Sequence, residues 1–138
     1  MADDDPRELE LFEQAKAGDL SAMKANLAAN SVNVNCVNGV NWTPLIWAAC
    51  NGNDDVVAFL LDRGANADAQ NDQGTSALHM AAYNGHPDVL NTLLKAGADV
   101  TVEDNDGKTP LDYAKDEGDE AAIAALTEAA KGFLTQRE

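Results

Sequence analysis

The sequence predicts an all-α-dominated solenoid of four stacked helix-turn-helix units joined by extended, hairpin-like fingers. Three observations carry that prediction. WTPLIWAACNGN from Trp42, TSALHMAAYNGH from Thr75 and KTPLDYAKDEGD from Lys108 align without a gap at a spacing of 33 residues. A second register agrees: VVAFLLDRGANADA from Val56 matches VLNTLLKAGADVTV from Val89, so Gly52, Gly85 and Gly118 fall in step, as do Gly64 and Gly97. Between the matched blocks the chain turns polar and rich in Asn and Asp. Fixed periods of this size mean units that stack because none can bury its apolar face alone.

Each element of a unit has a local cause. Thr43 offers an N-cap hydroxyl, and Pro44 is a residue whose missing N–H costs nothing in the first helical turn. Thr109 and Pro110 repeat the pair, while Ser76-Ala77 keeps the cap and drops the proline. From Leu45 a short first helix follows, and its small Ala48 and Ala49 let neighbouring backbones approach. Gly52 then turns the chain. Val56, Val57, Leu60 and Leu61 lie at helical spacing on one face of a second helix, and Val89, Leu90, Leu93 and Leu94 repeat that face. Gly64 and Gly97 end these helices where a left-handed residue is expected. The polar stretches from Ala65 to Gly74 and from Ala98 to Gly107 suit a finger, not a third helix.

The ends depart from the pattern. Around Gly18 a divergent first unit runs LFEQAKAGDL then AMKANLAAN, offset by one extra residue and lacking the Thr-Pro start. Gln14 stands where Ala48 stands and Asn26 where Leu60 stands, as a wet outer face on a terminal unit requires. Thr127 replaces the second leucine in the last unit, and Phe133 with Leu134 points to a short extension folding back. The expected division is an acidic tail over 1–6, an N-capping unit over 7–37, internal units over 38–70 and 71–103, and a C-capping unit with its extension over 104–138. A single domain fits this length.

These blocks resemble the ankyrin-repeat family. Its Thr-Pro-Leu-His-x-Ala-Ala pattern is met at Thr43 to Ala49, at Ser76 to Ala82 and, in shorter form, at Thr109 to Ala114, and its Gly-Ala-Asp pattern at Gly64-Ala65-Asn66 and Gly97-Ala98-Asp99. The resemblance implies an ankyrin-repeat solenoid acting as a non-enzymatic protein-interaction module. It also implies that His79 ties neighbouring units through backbone hydrogen bonds. By register it assigns a concave partner surface to Val40, Trp42, Cys50 and Asn51 in the second unit, and to Asp72, Gln73, Thr75, Tyr83 and Asn84 in the third. Asn105, Asp106, Lys108, Asp116 and Glu117 belong to it in the fourth. The layout is also similar to small, free-standing, myotrophin-like members, which would imply a regulator of an actin-capping protein. A third implication is an adaptor or regulatory subunit of a larger complex.

The two tryptophans divide on this reading. Trp42 precedes the cap at a position shared with Thr75 and Lys108, so the fold does not demand an indole there, and with Tyr83 it is expected to anchor a partner. Trp47 shares its position with Met80 and Tyr113, all large, which predicts partial burial between units. On that basis Trp42→Ala should leave the melting temperature nearly unchanged.

Composition narrows the classes further. With 24 acidic and 9 basic side chains the net charge is −15, which repels phosphate backbones and anionic lipid and suits a partner protein with a basic surface. Neither nucleic acid nor membrane is an expected partner. No apolar run approaches the ~20 residues of a membrane helix, and MADDDPRE has no apolar signal region, so the cytoplasm is expected, with the nucleus as the alternative. The acidic runs read as a solvated face, or more sharply as a patch that steers a basic partner. Cys36 and Cys50 form no Cys-x-x-Cys pair and are expected to be reduced thiols. His79 and His86 find no clustered ligands for a metal. EDNDG at 103–107 fails as a calcium loop, because Val102 and Tyr113 fall in the first and last ligand positions. No nucleophile elbow, phosphate loop or zinc motif is present, so neither catalysis nor a cofactor is expected, and a monomer is the expected state.

Overall fold

The computed structural model describes residues 5–137, and side chains as far as 132. Eight α-helices follow one another among the described residues: α1 (Pro6–Ala17), α2 (Leu20–Ala29), α3 (Pro44–Asn51), α4 (Asp54–Asp62), α5 (Ala77–Asn84), α6 (Pro87–Lys95), α7 (Pro110–Glu117) and α8 (Glu120–Arg137). They pair as antiparallel neighbours, α1 with α2 through α7 with α8. The first helices form an inner row, α1 on α3, α3 on α5 and α5 on α7, while α4 packs on α6 and α6 on α8 behind it. One apolar core runs through the stack, from Leu11 and Met23 through Leu45, Val57 and Leu60 to Leu78, Leu93 and Leu126. Of the second-helix faces, Val56, Val57 and Leu60 are buried and Leu61 half-buried, and Val89, Leu90, Leu93 and Leu94 repeat this.

The caps act as their chemistry dictates. Thr43, Ser76 and Thr109 each accept the N–H of the residue three further on, from Ile46, His79 and Asp112. Gly18, Gly52, Gly85 and Gly118 close the inner helices in the left-handed region, at φ between 68° and 75°. The N-terminal helix starts differently from the sequence expectation. Asp5 caps it by accepting from Arg7 N–H and Pro6 takes the first position, so Asp5-Pro6 does the work of the missing Thr-Pro one turn earlier. Residues 1–4 of the expected acidic tail lie outside the described residues.

Two further end features correct the sequence reading. Asn26 is not wet: it is 6% exposed, its amide donating to the Arg7 carbonyl and Gln14 Oε1 while its own oxygen accepts from Asn30 Nδ2. A buried amide is tolerated when its hydrogen bonds are made inside the protein. The C-terminal extension does not fold back, because α8 continues unbroken to Arg137; the side chains of Phe133 and Leu134 lie outside the described residues.

The fingers contain no strand among the described residues, yet each tip is a hairpin closed by a backbone bond, Asn38 N–H to Trp42, Asn71 N–H to Thr75 and Asp104 N–H to Lys108. At the foot of each, one side chain gathers two backbone N–H groups. Asn38 takes Val40 and Trp42, Asn71 takes Gln73 and Thr75, and Asp104 takes Asp106 and Lys108. Adjacent tips are joined by Asp72 N–H to the Val40 carbonyl at 3.1 Å and Asn105 N–H to the Gln73 carbonyl at 3.0 Å. Asn41, Gly74 and Gly107 recur at left-handed φ of 64°, 76° and 78°. A methyl group on Gly74 would stand 2.9 Å from the Asn105 nitrogen, whereas one on Gly107 meets nothing within 4 Å. Gly107→Ala should therefore cost only its backbone strain, about 1–2 kcal/mol. Gly74→Ala should cost clearly more and lower the melting temperature further; equal losses in thermal melts would remove the finger-to-finger contact from the account.

Candidate functional site

The inner helices and finger tips present side chains in rows 33 residues apart. One row is Trp42, Thr75 and Lys108; the next is Trp47, Met80 and Tyr113; a third is Cys50, Tyr83 and Asp116. Thr75, Met80 and Cys50 are small or flexible, so the middle of the face is hollow. There a cleft of about 440 Å³ is lined by Cys50, Thr75, His79, Met80, Tyr83, Asn84 and Tyr113. A second hollow of about 340 Å³, bounded by Gln73, Thr75, Asp104, Asn105, Asp106 and Tyr113, shares Thr75 and Tyr113 with it.

The walls are held by defined contacts. Tyr83 is 55% exposed and meets Tyr113 edge to face at 5.6 Å, and His79 meets Tyr113 likewise at 5.8 Å. The Tyr113 hydroxyl donates to Asp104 Oδ2. That bond, then burial, pushes the phenol up to about 12. Burial would hinder the ionisation of Asp104, but the Tyr113 hydroxyl and two backbone N–H groups outweigh it and hold the carboxyl below its usual range. Asn84 Nδ2 is spent on the Cys50 carbonyl at 3.1 Å and touches its Sγ at 3.4 Å.

His79 is the back wall and a tie between units. Its Nδ1 accepts from Ser76 N–H, so Nε2 carries the proton and donates to the Lys108 carbonyl at 2.8 Å. Burial pushes its proton affinity below the ordinary 6.5, against the opposing pull of the Lys108 carbonyl and of Asp104 and Asp112. The ring is neutral and adds no charge to the cleft. Of the thiols, Cys36 is buried, and burial pushes it up to about 12, so it stays an unreactive thiol; Cys50 is half-buried at the cleft wall. No three metal-ligating side chains gather among the described residues.

The sequence-assigned residues divide on this geometry. The cleft gathers Cys50, Thr75, Tyr83 and Asn84, and the adjoining hollow Gln73, Asn105 and Asp106. The others are outside both. Val40 is exposed and gives its carbonyl to the next finger. Asn51 Nδ2 donates to the Lys16 carbonyl. Asp72 accepts from Asn41 Nδ2 at 2.5 Å, Lys108 and Asp116 pair at 2.6 Å, and Glu117 is exposed at the end of α7. Met80, His79 and Tyr113 line the cleft without having been assigned to it. The row shared by Trp47, Met80 and Tyr113 was the available signal.

The tryptophans do not separate into core and surface. Both are half-buried, their ring centroids 4.4 Å apart, and Lys16 Nζ sits 4.7 Å from the Trp47 ring. Trp42 is thus a packing partner of Trp47, because five residues place the finger's last side chain over the first helix.

A family model described as Ankyrin repeats (3 copies) matches residues 11–104. The chain belongs to the ankyrin-repeat family, whose members generally mediate protein–protein interaction. It is similar to Ankyrin repeat, SAM and basic leucine zipper domain-containing protein 1 of Mus musculus, 43% identical over 67 residues, which is 48% of this chain and 14% of that protein. The protein of the same description from Saimiri boliviensis boliviensis is 39% identical over 67 residues, with the same coverage of 48% and 14%. That from Ornithorhynchus anatinus is 59% identical over 34 residues, 25% of this chain and 7% of that protein. The chain therefore covers a small part of these relatives. No helix among the described residues is long and apolar enough to cross a membrane.

Two outcomes follow from this geometry. Trp42→Ala should lower stability by about 1 kcal/mol or more through the lost ring pair and shift the remaining Trp47 emission to the red; an unchanged melt and spectrum would return Trp42 to the free surface. For His79 the unfolded chain takes up a proton near pH 6.5 that the folded chain resists. Its contribution to stability is therefore full above that pH and shrinks as pH falls below it toward the lowered folded value. Urea melts at about pH 7.5 and about pH 5.5 should show a loss in the wild type that is smaller in His79→Gln; parallel losses would show that His79 is not responsible.

Proposed function

We propose that this chain binds a partner protein across the face formed by the finger tips and inner helices, without catalysing a reaction. The observation that carries the reading is Tyr83, a large ring more than half exposed at the mouth of a cleft whose back is fully packed. Aromatic residues in such positions commonly dominate binding energy. The scaffold behind it is assembled in advance, so little ordering entropy is lost on association. The acidic side chains Asp72, Asp106, Asp116 and Glu117 flank this face, which supports a partner with a basic surface and electrostatic acceleration of encounter.

Tyr83→Ala tests this, because its exposed ring carries little of the core. Binding of a cognate partner should weaken by about 2 kcal/mol or more with a nearly unchanged melt, and the association rate should fall steeply with salt. Undiminished affinity in the variant would move the site elsewhere on the molecule.

A further inference from the structure

Two lysines lie over aromatic rings of the inner helices. Lys16 Nζ lies 4.7 Å from the centre of Trp47, and Lys108 Nζ lies 5.2 Å from the centre of Tyr113 while pairing with Asp116. Ring faces on this side of the molecule are therefore seats for cations, as their negative quadrupoles favour. The central cleft between them has the same kind of wall: of its two tyrosines Tyr113 already carries Lys108, while Tyr83, 55% exposed, carries no cation among the described residues. Its lining holds no lysine or arginine, and its one histidine is held neutral by burial. Its volume, about 440 Å³, is within the range of side-chain and small-ligand sites. The adjoining hollow brings Asp106, which is exposed and whose carboxylate makes no hydrogen bond among the described residues, to the far side of Tyr113. With a net charge of −15, the surroundings add attraction for a positive group.

We propose that the paired hollows read a single arginine side chain from a basic segment of the partner protein. The methylene stem lies along Met80 and Cys50, the guanidinium plane rests against the exposed Tyr83 ring, and its N–H groups donate to the Asp106 carboxylate. Arginine suits this better than lysine, because its planar, weakly hydrated head both stacks on rings and presents a fork of donors. An aliphatic side chain would fill the stem channel and leave Asp106 unused. This assignment rests on the partner-binding reading above and specifies the chemistry of its centre.

The test is selection of a randomised twelve-residue peptide library on the immobilised full chain, repeated with Tyr83→Ala and Asp106→Asn, both checked for folding by thermal melts. Peptides enriched on the wild type should share an arginine at a fixed position and lose that preference on either variant. Replacing that arginine by citrulline, neutral but nearly the same shape, should weaken binding by about tenfold or more. Enrichment that maps to the same face without an arginine, or with lysine serving equally, overturns the arginine assignment and leaves the interaction reading standing. An absence of enrichment on the wild type overturns both.

Discussion

At two finger tips one backbone amide, that of Asp72 or Asn105, finds its partner in the neighbouring unit, and the registration of the stack depends on that. Asp72 N–H reaches the Val40 carbonyl and Asn105 N–H the Gln73 carbonyl. Lower down, Asn35 accepts from Asn66 N–H and Asp68 from Asp99 N–H, both at 2.8 Å. A tip amide left without such a partner would have to turn to water or lose a hydrogen bond. The units therefore stand in fixed registration, and the rows on the inner face follow from it. The cleft exists because successive units place a threonine, a methionine and a cysteine at the positions where their neighbours place tryptophan or tyrosine.

Much of this was legible in the sequence, and for local reasons. The cap hydroxyls of Thr43, Ser76 and Thr109, the turn glycines and the second-helix apolar faces each act within a few residues, so pattern and chemistry suffice to find them. The tie from His79 to the next unit came from the family pattern. What escaped depended on side chains reaching across units or into irregular segments. Asp5-Pro6 was not seen as a helix start because it stands a turn ahead of the repeat register. Asn26 looked like a solvent-facing substitution, since no linear pattern says that Gln14 and the Arg7 carbonyl will meet it. Trp42 looked free because its row-mates are polar, although its contact is with Trp47 five residues on. Tyr113 was read as packing, and it is, but its ring also divides the two hollows.

The polar feet of the fingers show how similar units become individual. Asn38, Asn71 and Asp104 make the same pair of backbone bonds, yet only Asp104 has a second oxygen engaged by a tyrosine hydroxyl. In the third unit Met80 stands in the place of that tyrosine, and Asn71 Nδ2 is buried with no partner among the described residues. Such an unsatisfied amide costs on the order of 1–3 kcal/mol. The same methionine that leaves the amide unmatched keeps the cleft open.

The inner-helix clasps have a consequence for how the molecule comes apart. Asn51 and Asn53 fasten the second unit to carbonyls of α1, and Asn84 and His86 fasten the third to the Cys50 carbonyl. At the corresponding places the fourth unit carries Glu117 and Asp119, and ionised carboxylates have no proton to give. The side-chain hydrogen bonds that fasten this last leaf to the third unit therefore lie at its finger side, through His79, Gln70 and Asn105, while α7 itself packs on α5. Because Tyr113 and Asp106 ride on it and Tyr83 belongs to the third unit, whatever bridges Tyr83 to either of them also splints the end of the stack, and occupancy and terminal fraying become two readings of one equilibrium.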